Sequence, residues 1–317
     1  MKQFTFPLVL ILLLVFSGCK KESTSPPNND VSWTAVNTGL TNMIVTGLGV
    51  SGTNLFAGTM GSGVFLSTNN GTSWTAANAG LTNWFVNAFA VSGTNLFAAT
   101  RGGVFLSTNN GTSWTAASAG LTNLGVRALA VSGTNLFAGT DGGDVCLSTN
   151  NGTSWTAASA GLMNGAVNAF AVSGTNLFAV TESGGVFLST NNGTSWTAVN
   201  AGLTNMIVGA LAVSGTNLFA GTMGSGVFLS TNNGTSWTAA NAGLTNWFVN
   251  AFAVSGTNLF AATRGGVFLS TNNGTSWTAA SAGLPAWVTN QSVVALAVSG
   301  TNLFAATSGN GVWRRPL

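Results

Sequence analysis

The chain contains no histidine and no tyrosine, and only 4% of its 317 residues are charged. Without histidine it lacks the commonest general base and a ligand on which most metal sites rely. An average soluble protein is roughly 25% charged, so solubility must come from elsewhere, and Ser, Thr, Asn and 43 glycines fill that role. Glu, Lys and Gln are scarce, which argues against a helical protein. Low charge does not mean disorder here. Hydrophobic residues make up 45% of the chain, and Trp, Phe, Leu and Val recur at regular intervals. A composition of turn and strand formers predicts an all-β protein.

A concentrated positive surface is also lacking. Of the eight Lys and Arg, Lys2, Lys20 and Lys21 lie near the start and Arg314 and Arg315 near the end. Arg101, Arg127 and Arg264 are scattered through the body and balanced by Asp141, Asp144 and Glu182, leaving +2 from residue 32 onward. Nucleic-acid binding needs a dense row of phosphate contacts, and this distribution excludes one.

Residues 1–18 read as a signal peptide. Lys2 precedes an apolar run of eleven residues, Phe6 to Phe16, too short for a spanning helix of about 20. The run ends in Phe16-Ser17-Gly18-Cys19, which resembles the bacterial lipobox, with Phe16 where Leu is usual. That resemblance implies a lipidated Cys19, followed by a polar tether over 19–31 that contains Pro26-Pro27. Each buried acyl methylene adds about 0.8 kcal/mol, so a multiply acylated cysteine holds its protein at a membrane. No aspartate follows Cys19, and by resemblance to enterobacterial sorting this implies the outer membrane or cell surface. Cys146 is the one other cysteine. It stands where other copies of a repeat have Phe65, Phe105, Phe187, Phe228 and Phe268, so it is read as a core residue.

The repeat itself is explicit. Val-Ser-Gly-Thr-Asn-Leu-Phe-Ala begins at Val50, Val91, Val131, Val172, Val213, Val254 and Val298. Ser-Trp-Thr-Ala begins at Ser32, Ser73, Ser113, Ser154, Ser195, Ser236 and Ser276. A period near 41 residues with four short strands matches a propeller blade. In the second repeat the expected strands are Val86–Val91, Leu96–Thr100, Val104–Ser107 and Ser113–Ala117. Asn109-Asn110-Gly111 turns between the last two, and Asn-Gly suits a two-residue hairpin with positive φ. The two strings are out of phase, so Ser32–Val36 is expected to supply the outermost strand of a seventh blade begun at Val293. The expectation is a seven-bladed β-propeller of four-stranded antiparallel blades over 32–317, its ring closed by the N-terminal strand.

Ser67-Thr68-Asn69-Asn70-Gly71-Thr72-Ser73-Trp74 resembles the Asp-box, or BNR, repeat, whose pattern is Ser-x-Asp-x-Gly-x-Thr-Trp. Copies begin at Ser67, Ser107, Ser148, Ser189, Ser230 and Ser270, each with Asn where the family has Asp. Asn can still bond its own turn, so the fold survives the exchange, although any role for a negative charge does not. The family includes sialidases and other glycoside hydrolases. Glycoside hydrolysis needs two carboxyl groups about the bond, and the body has three in all. The resemblance to sialidases would further require an arginine triad and a tyrosine nucleophile, and tyrosine is absent. The family also includes assembly factors for photosynthetic complexes, a role that nothing in this chain singles out. No catalytic residue, cofactor or metal is expected. Asp141 and Asp144 flank a glycine turn and are read as solvated turn residues rather than a calcium site or acid pair.

Comparison of the chain with itself locates its individuality. Residues Val50–Leu121 repeat residue for residue as Val213–Leu284. Differences between repeats concentrate in the link between blades, where Met43, Trp84, Met206, Trp247 and Trp287 stand. They concentrate also in the turn after the second strand, at Arg101, Asp141, Glu182 and Arg264. In an up-and-down blade these connections share one face of the disc. The large side chains either pack over a neighbouring blade or form an exposed rim of the residue types enriched at binding hot spots. Those nine residues are the candidate binding set. The expected function is a non-catalytic binding or scaffold protein, displayed on the bacterial cell envelope as a monomeric body, with a protein partner on the variable face. A lectin-like glycan binder is the alternative, and a glycoside hydrolase a distant third.

Overall fold

The string Asn-Leu-Phe-Ala-x-Thr forms the second strand of every repeat, and all but its first residue are buried. A strand covered on both faces reads as a continuous apolar run. In Asn54–Thr59, Leu55 and Ala57 enter one cluster with Phe304 and Ala306, whereas Phe56 enters another with Leu96 and Ala98. One six-residue string therefore supplies both walls of its sheet.

A computed structural model describes residues 31–163, 165–289 and 293–317. The expected signal peptide, Cys19 and nearly all of the tether lie outside the described residues. Seven four-stranded antiparallel sheets form the fold, a seven-bladed β-propeller. Blade 2 comprises Val86–Ser92, Asn95–Thr100, Gly103–Ser107 and Thr115–Ala116 in sequence order. Blade 7 joins Val293–Ser299, Asn302–Thr307 and Gly311–Pro316 to the N-terminal strand Thr34–Ala35, with Thr34 opposite Arg314 and Ala35 opposite Trp313. The innermost strands adjoin in sequence around the ring, and that of blade 7 meets that of blade 1.

The hydrophobic core is divided into seven clusters, one per blade interface. Each contains one Trp of the Ser-Trp-Thr-Ala string, 2–4% exposed. Every such Trp bonds twice to the preceding blade. The Trp114 backbone N–H donates to Ala79 O at 2.8 Å and its indole Nε1 to Ala77 O at 2.8 Å. The same pair recurs from Trp74 to Thr38 and Val36, and from Trp33 to Ala282 and Ala280. The segment that receives these bonds runs close beneath the Trp. Gly80 sits there at φ 81°, and a Cβ on it would strike the Trp114 carbonyl, so glycine alone fits.

Six turns are held by their own side chains. Ser107 Oγ accepts from Gly111 N at 2.8 Å and donates to Asn109 Oδ1 at 2.9 Å. Asn109 Oδ1 also accepts from Ser113 N, and its Nδ2 donates to Ser113 Oγ, both at 2.9 Å. An aspartate could accept from the Ser113 hydroxyl instead, since that hydroxyl can rotate. Asn110 and Gly111 take φ of 53° and 78° as expected. The connection nevertheless covers residues 108–114, longer than the two-residue hairpin expected. The fourth strand shrinks correspondingly to Thr115–Ala116. The Asn109 side chain keeps Ser113 in the turn, and Ala117 N still donates to Val104 O at 2.8 Å just past the strand. Ser32–Val36 likewise shortens to Thr34–Ala35, with Val36 N donating to Val312 O at 2.9 Å. A single short helix, Ala286–Thr289, interrupts the link into blade 7. Cys146 is fully buried at the Phe position of blade 3.

Blade 7 has extra fastenings. Arg315, 8% exposed, donates through NH1 to Ala280 O at 2.8 Å and stacks 5.8 Å from the Trp33 ring. Burial draws its guanidinium pKa down from the usual value. Arg314 reaches the other way, donating to Asn70 O of blade 1 at 2.9 Å. Among the described residues no buried side-chain nitrogen or oxygen lacks a partner.

Deleting Ser32–Val36 removes Trp33 and the last strand of blade 7, and losing one buried Trp costs about 3–5 kcal/mol. Thermal unfolding of this variant is expected to fall on the order of 10 °C below that of a variant lacking Lys20–Asp30. Equal midpoints would contradict closure through the N-terminal strand.

Candidate functional site

Backbone bonds bring the two variable segments of the sequence side by side. The link entering each of blades 1 to 6 lies against the turn after the second strand of that blade or of the preceding one. Gly61 N and Gly63 N both donate to Trp84 O at 3.0 Å, Arg101 N to Phe85 O at 3.2 Å, and Asp141 N to Gly125 O at 2.7 Å. Glu182 N reaches Ala166 O at 2.9 Å and Gly309 N reaches Met43 O at 3.0 Å. Isolated bridges join Met60 to Phe85, Met223 to Phe248 and Ile44 to Ser308. The near-invariant turns gather separately, where Ser51–Asn54, Gly93, Thr94, Thr108 and Asn110 line a polar cavity of about 560 Å³. The molecule thus has a varied face and a repetitive one.

On the varied face Trp84 and Trp247 are each 53% exposed. Their rings are steadied from beneath, with Nε1 donating to Leu81 O and Leu244 O respectively, at 3.3 Å. Each Trp is anchored to its own link and presents about half its surface to solvent. Met43 and Met206 are exposed on the same face. Arg101 lies with its guanidinium 4.9 Å from the Phe85 ring centroid, and Arg264 4.4 Å from that of Phe248. Cation–π contact of this kind fixes the cation without neutralising it. Trp287 lies in the short helix Ala286–Thr289, and its side chain is outside the described residues.

The acidic candidates differ in their surroundings. Asp141 forms an ion pair with Arg127, which also donates to Asn168 Oδ1 at 3.0 Å. Asp144 accepts from Thr122 Oγ1 at 2.7 Å, and Glu182 is exposed. Asn87, Arg101, Arg127 and Asp141 line a cavity of about 430 Å³. A second cavity, of about 310 Å³, lies among the innermost strands, bordered by Thr46, Asn87, Arg127 and Asn168. No group of three potential metal-ligating side chains occurs among the described residues.

Ile44, Phe85, Ile207 and Phe248 stand in the variable links but outside the nine candidates, and Arg127 stands outside both variable segments. Four of the seven links carry two large residues in succession, Met43-Ile44, Trp84-Phe85, Met206-Ile207 and Trp247-Phe248. Both members of each pair are exposed.

The comparisons with known proteins concern this architecture. Residues 127–251 match the family model described as DUF6242 beta propeller domain. The chain is a β-propeller. No curated protein matches it. Among solved structures it is similar to the extracellular domain of BT4673 from B. thetaiotaomicron, with TM-score 0.73 and 15% identity over 90% of this chain and 40% of that one. It is also similar to the GH74 enzyme of Niastella koreensis, with TM-score 0.66 and 20% identity over 86% of this chain and 43% of the enzyme. YCF48 from Cyanidioschyzon merolae gives TM-score 0.68 and 14% identity over 90% of this chain and 98% of that one. The chain therefore spans less than half of the first two proteins. Identities this low are likenesses of fold.

Proposed function

We propose that this protein is a non-catalytic binding or scaffold propeller of the Asp-box type, exported and held at the bacterial cell envelope through a lipidated Cys19. Its varied face engages a protein partner. One observation carries the reading of the face. Among the described residues twelve large hydrophobic side chains are exposed, and all except Leu317 lie in the varied links or turns. Contiguous exposed apolar surface marks an interaction site, and Trp, Met and Arg together are the composition of binding hot spots. The polar turns of the other face offer no comparable anchor.

The non-catalytic reading is supported by how the carboxyl groups are engaged, Asp141 with Arg127 and Asp144 with Thr122. A protein partner is favoured over a glycan because, the Arg101 guanidinium apart, the polar groups nearest Trp84 are already used. Trp84 Nε1 is bonded to Leu81 O, and Asn83 Oδ1 accepts from Phe85 N at 3.1 Å. Sugar recognition needs free donors and acceptors beside the stacking ring. The envelope location rests on the lipobox-like Phe16 to Cys19.

Replacing Trp84 and Trp247 together with Ser is expected to abolish partner capture from envelope extract. The thermal midpoint should move by only about 1–2 °C, because half-exposed residues contribute little to stability. A midpoint lowered by many degrees with binding intact per folded molecule would reject the face. For the anchor, Cys19→Ser is expected to release the protein from membranes and to stop incorporation of a fatty-acid probe. A wild-type chain that is soluble and unlabelled would refute lipidation.

A further inference from the structure

The varied face carries one arrangement twice. Ile44, Met60, Trp84, Phe85 and Arg101 form a continuous strip across blades 1 and 2. Met60 N donates to Ile44 O at 3.0 Å, Met60 bridges Phe85, and Arg101 stacks on Phe85. The same five residue types recur at Ile207, Met223, Trp247, Phe248 and Arg264 across blades 5 and 6. There Met223 N donates to Ile207 O at 2.9 Å, Met223 bridges Phe248, and Arg264 stacks on Phe248. The two Trp residues have equal exposure, 53%. The strips lie on the same face, four blades apart one way around the ring and three the other.

Each strip is apolar with a single cation at its end. Arg101 and Arg264 have no ion-pair partner among the described residues, where the one salt bridge joins Arg127 to Asp141. The three carboxylates of the body, Asp141, Asp144 and Glu182, all belong to blades 3 and 4. Nothing negative on blades 5, 6 or 7 offsets Arg264. An exposed guanidinium pairs with carboxylates through directed hydrogen bonds, and an aromatic ridge beside it accepts an apolar side chain.

We propose that the two strips are equivalent binding sites, each taking one acidic peptide segment that bears a bulky apolar side chain, so that one chain holds two. The inference rests on the protein-binding reading of the varied face. It adds the charge of the ligand and the number of copies. A partner that displays two such segments gains avidity of order 10²–10⁴ over one that displays a single segment, provided its spacing spans the ring. The sites are not identical in their surroundings. Asp141, paired with Arg127, shares a cavity with Arg101, and Arg264 has no such pair beside it among the described residues.

Five of the six methionines, all except Met1, lie on links or turns of the varied face, and Met60 and Met223 belong one to each strip. The full chain labelled with ¹³C-methyl methionine can therefore be titrated with acetyl-Glu-Phe-Glu-Leu-Glu-amide and followed by NMR. Both the Met60 and the Met223 methyl signals are expected to shift, saturating at two peptides per chain. Arg264→Ala should weaken the Met223 response at least tenfold and leave that of Met60 unchanged, and Arg101→Ala should do the reverse. Asp141→Asn should tighten only the Met60 response. A peptide with Lys for Glu should shift neither signal. Saturation at one peptide per chain would overturn the paired sites. So would silence of both methyls at millimolar peptide, or shifts caused by an unbranched neutral hexaglucan but not by the peptide. Loss of partner capture by the Trp84→Ser, Trp247→Ser variant alongside a one-to-one titration would leave the binding face standing and reject only its duplication.

Discussion

The structure depends on a tryptophan that belongs to one blade and bonds to another. Its backbone N–H and its indole N–H both find carbonyls of the preceding blade, as Trp114 does at Ala79 and Ala77. A propeller has no single core, so each blade is stable only insofar as its neighbours cover it. The Trp makes that cover directional. Apolar packing alone would let blades slide against each other, whereas two fixed hydrogen bonds per interface set the register of one blade on the next.

This constraint also explains the economy of the sequence. Seven equivalent interfaces demand seven equivalent sets of side chains, so the strands and the Trp-bearing turns can scarcely vary. Freedom is left in the links and second turns of one face, where the bonds between blades run through backbone groups and leave the side chains free to vary. Exposed Trp, Phe, Ile and Met accumulate there. The exact duplication of Val50–Leu121 as Val213–Leu284 copies the loops together with the scaffold. For that reason the exposed apolar strip formed by these loops arrives in two copies.

Fold was legible in the sequence to an unusual degree, because the repeats expose their own boundaries and the phase offset of the two strings predicts the seventh blade. Strand limits in blade 2 fell within one residue for the first three strands and within two for the fourth, where the expected two-residue hairpin did not allow for Ser113 being held in the turn by Asn109. The candidate face was legible as a pattern of variation. What the pattern could not supply was three-dimensional adjacency, such as Arg101 lying on Phe85 or Arg127 turning to Asp141. Nor could it reveal Arg315, which reads as part of a polar chain end and is in fact buried against Trp33 and Ala280. Both cases turn on contacts between residues far apart along the chain.

The central claim is that ring closure is an interface like the other six, although its Trp comes from the far end of the chain. Native-state hydrogen exchange of the full chain measures this most directly. Trp33 N–H, bonded to Ala282 O at 2.8 Å, and Val36 N–H, bonded to Val312 O at 2.9 Å, are the reporters. If the ring is closed as described, both exchange only through the global opening that governs Trp74 and Trp114 N–H, with matching protection. Exchange of Trp33 and Val36 orders of magnitude faster, with the other interfaces still protected, would contradict the account.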